Sequence, residues 1–178
     1  MTLGAHTLGT LPLVGREKEK EFLFRALDAA DRGTAATFFL AGDGGIGKTR
    51  LAETVVHEAT RRGWSTAVGR AYPVETGVPY ALFSDALLPA LRALDAGALS
   101  VLSRGGEAEL SRLFPALDFR VDARAARGDA ADIKARLLWN FSQFLGRFAA
   151  KRSLLIVLEN LQWADACRSS CCISRLVS

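Results

Sequence analysis

Gly42-Asp43-Gly44-Gly45-Ile46-Gly47-Lys48-Thr49 is the stretch on which the reading of this chain turns. It fits the pattern G-x-x-x-x-G-K-[ST], a loop whose backbone amides wrap an anion. Glycines let successive N–H groups turn inward onto phosphate oxygens. Lys48 supplies an ammonium for the outer phosphates of a polyphosphate, and the Thr49 hydroxyl supplies a ligand for the accompanying Mg²⁺. Context gives the pattern its weight. Upstream, Thr37-Phe38-Phe39-Leu40-Ala41 is a short apolar run rich in β-formers and predicts a buried strand. Downstream, Leu51, Ala52, Val55 and Ala59 recur at helical spacing and predict a helix over about 48–62, stopped before Gly63. Strand, loop and helix in that order place the positive end of a helix at the anion site.

A polyphosphate site of this kind needs a second element, a carboxylate at the end of another buried strand that holds the metal directly or through water. Leu154-Leu155-Ile156-Val157-Leu158 followed by Glu159 has that form. Asn160 stands where many such proteins carry an acid that orients the attacking water. An amide holds a water by hydrogen bonds but is no base at neutral pH. Asp165 is a further acid nearby. Taken alone, Glu159 is equally well an incidental surface acid; its place downstream of the loop favours the metal site.

Around these motifs the chain alternates apolar and polar stretches. Residues 1–13 are expected to be a flexible leader. A helix is expected from Glu17 to about Arg32, with Phe22, Leu23, Ala26, Leu27 and Ala30 on its apolar face and Gly33 as the stop. Ser65–Ala71 predicts a second strand, and Tyr72–Pro79 a loop broken by proline and glycine. Helices are expected over Tyr80–Leu94 and Glu107–Leu113. A long amphipathic one follows over Ala130–Lys151, where Ile133, Leu137, Leu138, Phe141, Phe144, Leu145 and Phe148 fall at helical spacing. His57 reads as a surface residue, and Trp64, Trp139 and Trp163 as packing aromatics rather than base-stacking platforms.

The bulk properties exclude several classes. The 178 residues carry a formal net charge of +4, with 49% hydrophobic residues, which is ordinary globular composition for about one α/β domain. Arginines are spread along the chain beside acids, so a nucleic-acid patch is disfavoured and no direct nucleic-acid contact is expected. The longest apolar run is too short to cross a bilayer, and Met1–Pro12 lacks the pattern of a signal peptide. A cytoplasmic protein without a membrane partner is the default. The three cysteines, Cys167, Cys171 and Cys172, crowd near the C-terminus, and an odd number in one tail is no disulfide framework.

Several segments together resemble a family. Leu13-Val14-Gly15-Arg16-Glu17 looks like the opening of the STAND-class ATPase modules, relatives of the AAA-type ATPases. Ala41–Leu51 looks like their Walker A segment. Gly69-Arg70-Ala71-Tyr72 and Gly77-Val78-Pro79-Tyr80 look like their second-strand region and the loop after it. Leu154–Asp165, ending Trp163-Ala164-Asp165, looks like their Walker B segment. The resemblance implies an α/β P-loop NTPase fold of ASCE type, a parallel sheet with flanking helices. It implies ATP or ADP as ligand, with Mg²⁺. Family proteins include LuxR-type transcription regulators, in which a module of this kind precedes helical repeats and a DNA-binding or other output domain. Val14, Gly15 and Arg16 would lie near the adenine. Gly42, Gly44, Gly45, Ile46, Gly47, Lys48, Thr49 and Arg50 would hold the phosphates. Thr49 and Glu159 would take the metal, and Lys48, Glu159 and Asn160 would carry the catalytic roles. Asparagine at position 160 departs from the family's usual acid and points to binding without hydrolysis.

The resemblance also implies a strand order of 5-1-4-3-2, and strands 4 and 5 are not found before Ser178. The expectation is therefore a partial ATPase domain over 14–165, incomplete at the C-terminus. The tail 166–178 resembles neither the family nor the rest of the chain. Shifting its reading frame back by one base turns the region around Ser170–Ile173 into Leu-Leu followed by His or Tyr. A Ser-Leu-Glu before the leucines is then allowed, as the family commonly has. A frameshifted tail is the expectation, which the gene sequence tests. The alternatives are a non-hydrolysing interaction module and a non-functional gene fragment; a small-molecule kinase is disfavoured by the Trp163-Ala164-Asp165 and Val14-Gly15-Arg16 segments.

Overall fold

The computed structural model describes residues 15–72, 80–121 and 130–163. The expectations for the leader, the tail, Val14, Gly77-Val78-Pro79 and the Ala164-Asp165 pair lie outside them. Helix α1 spans Glu17–Asp31, α2 Lys48–Arg61, α3 Ala81–Arg92, α4 Ala96–Ser103, α5 Glu107–Leu113 and α6 Ala130–Lys151. Strands β1, Ser65–Arg70, and β2, Leu154–Glu159, form a two-stranded parallel sheet, and one 3₁₀ turn covers Leu161–Trp163.

The pleat explains how the helices distribute. In β1, Ala67 and Gly69 are buried while Val68 and Arg70 are exposed, as expected when alternate residues face opposite ways. Ala67 and the even residues Leu154, Ile156 and Leu158 of β2 join the larger core, with α3 to α6. Phe114 and Phe144 are its largest fully buried side chains. Leu155 joins a smaller core on the other side, where Leu23 and Leu27 of α1 meet Leu51, Val55 and Ala59 of α2 and Trp64. Helices thus cover both faces of a small parallel sheet, as an α/β P-loop fold requires.

The expected buried strand at Thr37–Ala41 is not formed. The run joins no ladder, and Phe38, Phe39 and Leu40 are 40%, 74% and 41% exposed. Among the described residues the sheet consists of β1 and β2 alone, and neither pairs with this run. Phe38 instead meets Phe22 of α1 edge to face, at 5.4 Å between ring centres. That contact leaves Phe22 60% exposed, although its spacing placed it on the apolar face of α1. Two smaller corrections concern α4, which the sequence did not announce, and Trp139 on α6, which is 67% exposed rather than packed.

The ends of α1 and α2 are stapled by charge. Arg62, just past α2, donates to Asp28 at 2.6 Å and Asp31 at 3.2 Å of α1, and to Glu58 at 2.7 Å. The Trp64 indole N–H donates to Asp31 at 2.8 Å. Glu58 also accepts two bonds from Arg61, and these, with the one from Arg62, pull its pKa from 4.5 to about 2. A carboxylate depressed in the folded chain stabilises it above the unfolded value, and that contribution is lost as pH falls towards the folded value. The difference in melting temperature between the native chain and Glu58→Gln is therefore expected to be full at pH 6–7. It should shrink below about pH 4.5 and close near pH 2. A difference that stays constant down to pH 2 would show that Glu58 is not held by charge.

Candidate functional site

The loop before α2 is shaped by glycines in backbone regions that other residues avoid. Gly47 caps α2 in the left-handed region at φ 90°, and its carbonyl accepts the first helical bond, from Leu51 N–H at 3.0 Å. Gly42 sits at φ 146°, and a Cβ there would lie 2.3 Å from Ile46 Cδ1. Gly44 and Gly45 complete the exposed bend. Lys48 starts α2, and its Nζ folds back to donate to the Gly42 carbonyl at 2.8 Å and the Asp43 carbonyl at 2.7 Å. The loop thus closes around its own ammonium, the charge that a polyphosphate would share. Thr49 is exposed in the first turn of α2, and Arg50 follows it.

Arg16, at the entry to α1, reaches the same loop. Its guanidinium donates to the Ile46 carbonyl at 2.9 Å and to Glu19 at 3.1 Å. Gly15, at φ 79°, makes the turn into the helix, and its N–H donates to Glu17 at 3.2 Å. The side chain of Arg16 is therefore engaged with the loop backbone.

Glu159 and Asn160 engage the end of β1. The parallel register sets Arg70 opposite Glu159, and Arg70 donates to Glu159 Oε2 from Nε at 2.8 Å and Nη2 at 2.5 Å. Glu159 is mostly covered, at 11% side-chain exposure, while Arg70 stays at 47%. Asn160 adopts φ 60°, a left-handed conformation that asparagine tolerates better than most residues, and its amide donates to the Ala71 carbonyl in a long 3.4 Å contact. An aspartate at this position would set an acceptor against that carbonyl. Arg70 is the residue that the sequence reading did not single out. Its signal was present in the Gly69-Arg70 pair, but its partner follows only from the register.

Between these groups lies a groove of about 320 Å³ on the α2 face of the sheet, lined by Ala52, Glu53, Val56 and His57 of α2 with Val68, Arg70, Val157 and Glu159. No cluster of three or more His, Cys, Asp or Glu side chains suited to a metal ion occurs among the described residues. Thr49 and Glu159 would together offer one hydroxyl and one carboxylate, donors that suit Mg²⁺ keeping its waters and bringing phosphate oxygens with it.

A family model described as AAA ATPase domain matches residues 12–177, nearly the whole chain. The chain belongs to this AAA ATPase family. No curated protein and no solved structure matches it. The family match takes in the loop, α2, both strands and the stretch after Trp163, so the loop, with Lys48 inside it, sits in an AAA ATPase domain. AAA ATPase domains bind ATP with Mg²⁺. No helix among the described residues is long and apolar enough to cross a membrane.

Proposed function

We propose that this AAA ATPase module is a nucleotide-operated switch of a STAND-type bacterial signalling regulator of the LuxR class, which holds ATP or ADP with Mg²⁺ and turns it over slowly or not at all. The observation that carries this reading is the loop closed on Lys48, whose ammonium bonds to the backbone carbonyls of Gly42 and Asp43; in this reading phosphate oxygens take a share of that charge. In this reading Gly42, Gly44, Gly45, Ile46, Gly47, Lys48, Thr49 and Arg50 bind the phosphates. Thr49 and Glu159 hold Mg²⁺, which neutralises charge on the phosphates, and Val14 and Gly15 flank the nucleotide's other end. β1 and β2 then correspond to the second and third strands of an ASCE sheet.

Two contacts favour holding over hydrolysis. Glu159 is paired with Arg70, so a metal must compete with a guanidinium for the carboxylate. Asn160 is turned towards Ala71 and has no basic oxygen to activate a water. Output and partner domains, a cytoplasmic site of action and the absence of direct nucleic-acid contact belong to the same proposal.

Calorimetric titration of the intact chain with ATP, ADP and AMP in Mg²⁺, together with assay of phosphate release, tests it. ATP and ADP are expected to bind at least ~10-fold more tightly than AMP, because AMP has no β-phosphate for the loop amides and Lys48. Phosphate release is expected to stay near the uncatalysed level. Equal affinities for the three nucleotides, or no binding, would sink the switch reading. Multiple turnover would replace it with an active ATPase.

A further inference from the structure

We propose that Arg16 is a positioning residue that sets the phosphate loop from outside, through the Ile46 carbonyl, rather than a contact to the nucleotide base. This inference rests on the nucleotide-binding reading above and deepens it. A trans peptide points its carbonyl and its following N–H in opposite directions. The Arg16 guanidinium holds the Ile46 carbonyl at 2.9 Å, so it also fixes the Gly47 N–H on the far side of that peptide. Gly47 is the left-handed residue just before α2, a conformation that glycine leaves readily for others because it lacks a Cβ. A glycine peptide at the hinge between loop and helix is the one that most needs an external tether.

The rest of α1 makes the tether rigid. Glu19, one turn on, takes a second bond from the same guanidinium at 3.1 Å and fixes its orientation. At the far end, Asp28 and Asp31 are bound to Arg62, just past α2, and Asp31 also to Trp64. Between the two ends, Leu23 and Leu27 pack against Leu51, Val55 and Ala59. α1 is thus fastened to the loop–α2 unit at both ends and along its length. With its guanidinium bonded to a carbonyl and a carboxylate, Arg16 acts on a bound anion through loop geometry, which serves the phosphates whatever base they carry.

The test uses the full chain with three ligands in Mg²⁺: ATP, GTP and inorganic tripolyphosphate. Arg16→Ala is expected to weaken all three by a similar factor, roughly tenfold, the scale of one charge-assisted hydrogen bond that is part-exposed. Arg16→Lys keeps one cationic donor and is expected to recover part of the loss, while melting temperatures of both variants stay within about 3 °C of the native chain. A loss confined to ATP and GTP, with tripolyphosphate unchanged, would make Arg16 a base contact and overturn the proposal. Native affinity in Arg16→Ala would overturn it too, while ATP binding that is lost in Lys48→Ala would leave the phosphate site standing. A native chain that binds none of the three ligands would sink both readings.

Discussion

Lys48→Ala is expected to weaken binding of Mg·ATP about a hundredfold, with little change in melting temperature. The ammonium is folded into the loop, where it bonds to the carbonyls of Gly42 and Asp43. A bound polyphosphate gains from it one or two charge-assisted hydrogen bonds, each worth roughly 1.5–3 kcal/mol. Part of that gain is offset, because the two carbonyls share their donor with the phosphate. A net loss of about 3 kcal/mol corresponds to roughly a hundredfold in Kd. Stability changes little because the loop is exposed and its carbonyls can turn to water when the lysine is gone. Lys48→Arg is expected to restore little: a planar guanidinium places its charge along a fork, not at a point that three donors can rotate about. Titration by calorimetry and a parallel melt check both halves. Affinity within threefold of the native chain would mean that phosphates bind elsewhere, and a large drop in melting temperature would mean that Lys48 serves the fold.

The residues that were legible in the sequence are those whose structure is set locally. The helix after the loop follows from Leu51, Val55 and Ala59 at helical spacing, and all three are buried. The long helix over Ala130–Lys151 was equally plain, and Phe144, Leu145 and Phe148 are buried on it. Contacts across the chain were not legible. Thr37–Ala41 has the composition of a buried strand, but burial depends on a neighbour, and among the described residues neither β1 nor β2 pairs with it. Arg16 and Ile46 lie thirty positions apart, and Arg70 and Glu159 eighty-nine, so only packing brings them together. The α4 helix was missed although Asp95 caps it by accepting from Ala98 N–H at 2.7 Å, because Gly97 in its first turn reads as a breaker. The polar residues thus announce the loop's chemistry, while the tertiary partners of Arg16 and Glu159 decide how it is used.

Gly69→Val is expected to be strongly destabilising, for a reason that its neighbour Arg70 makes functional. A Cβ on Gly69 would lie 2.6 Å from the Leu82 carbonyl oxygen and 2.9 Å from Ala86 Cβ. The nearest of these is backbone, so no rotamer change removes the clash. α3 must move off β1, and Ala86, Leu87 and Leu91 of α3 sit in the larger core. Overpacking alone costs about 1–3 kcal/mol, and the displaced helix raises the total to about 3–4 kcal/mol for valine. For a chain of this size that lowers the melting temperature by roughly 6–16 °C. Gly69→Ala should show about half the effect. Adding Ala86→Gly to Gly69→Ala removes the 2.9 Å contact but not the 2.6 Å one, so it should recover no more than a minor part. Because Arg70 follows Gly69 directly and pairs with Glu159 across the sheet, a shift of β1 also loosens that ion pair. Melts of the three variants check the steric argument. Full recovery in the double variant would show that the Leu82 carbonyl gives way, and that the close packing of α3 on β1 does not hold this end of the sheet in place.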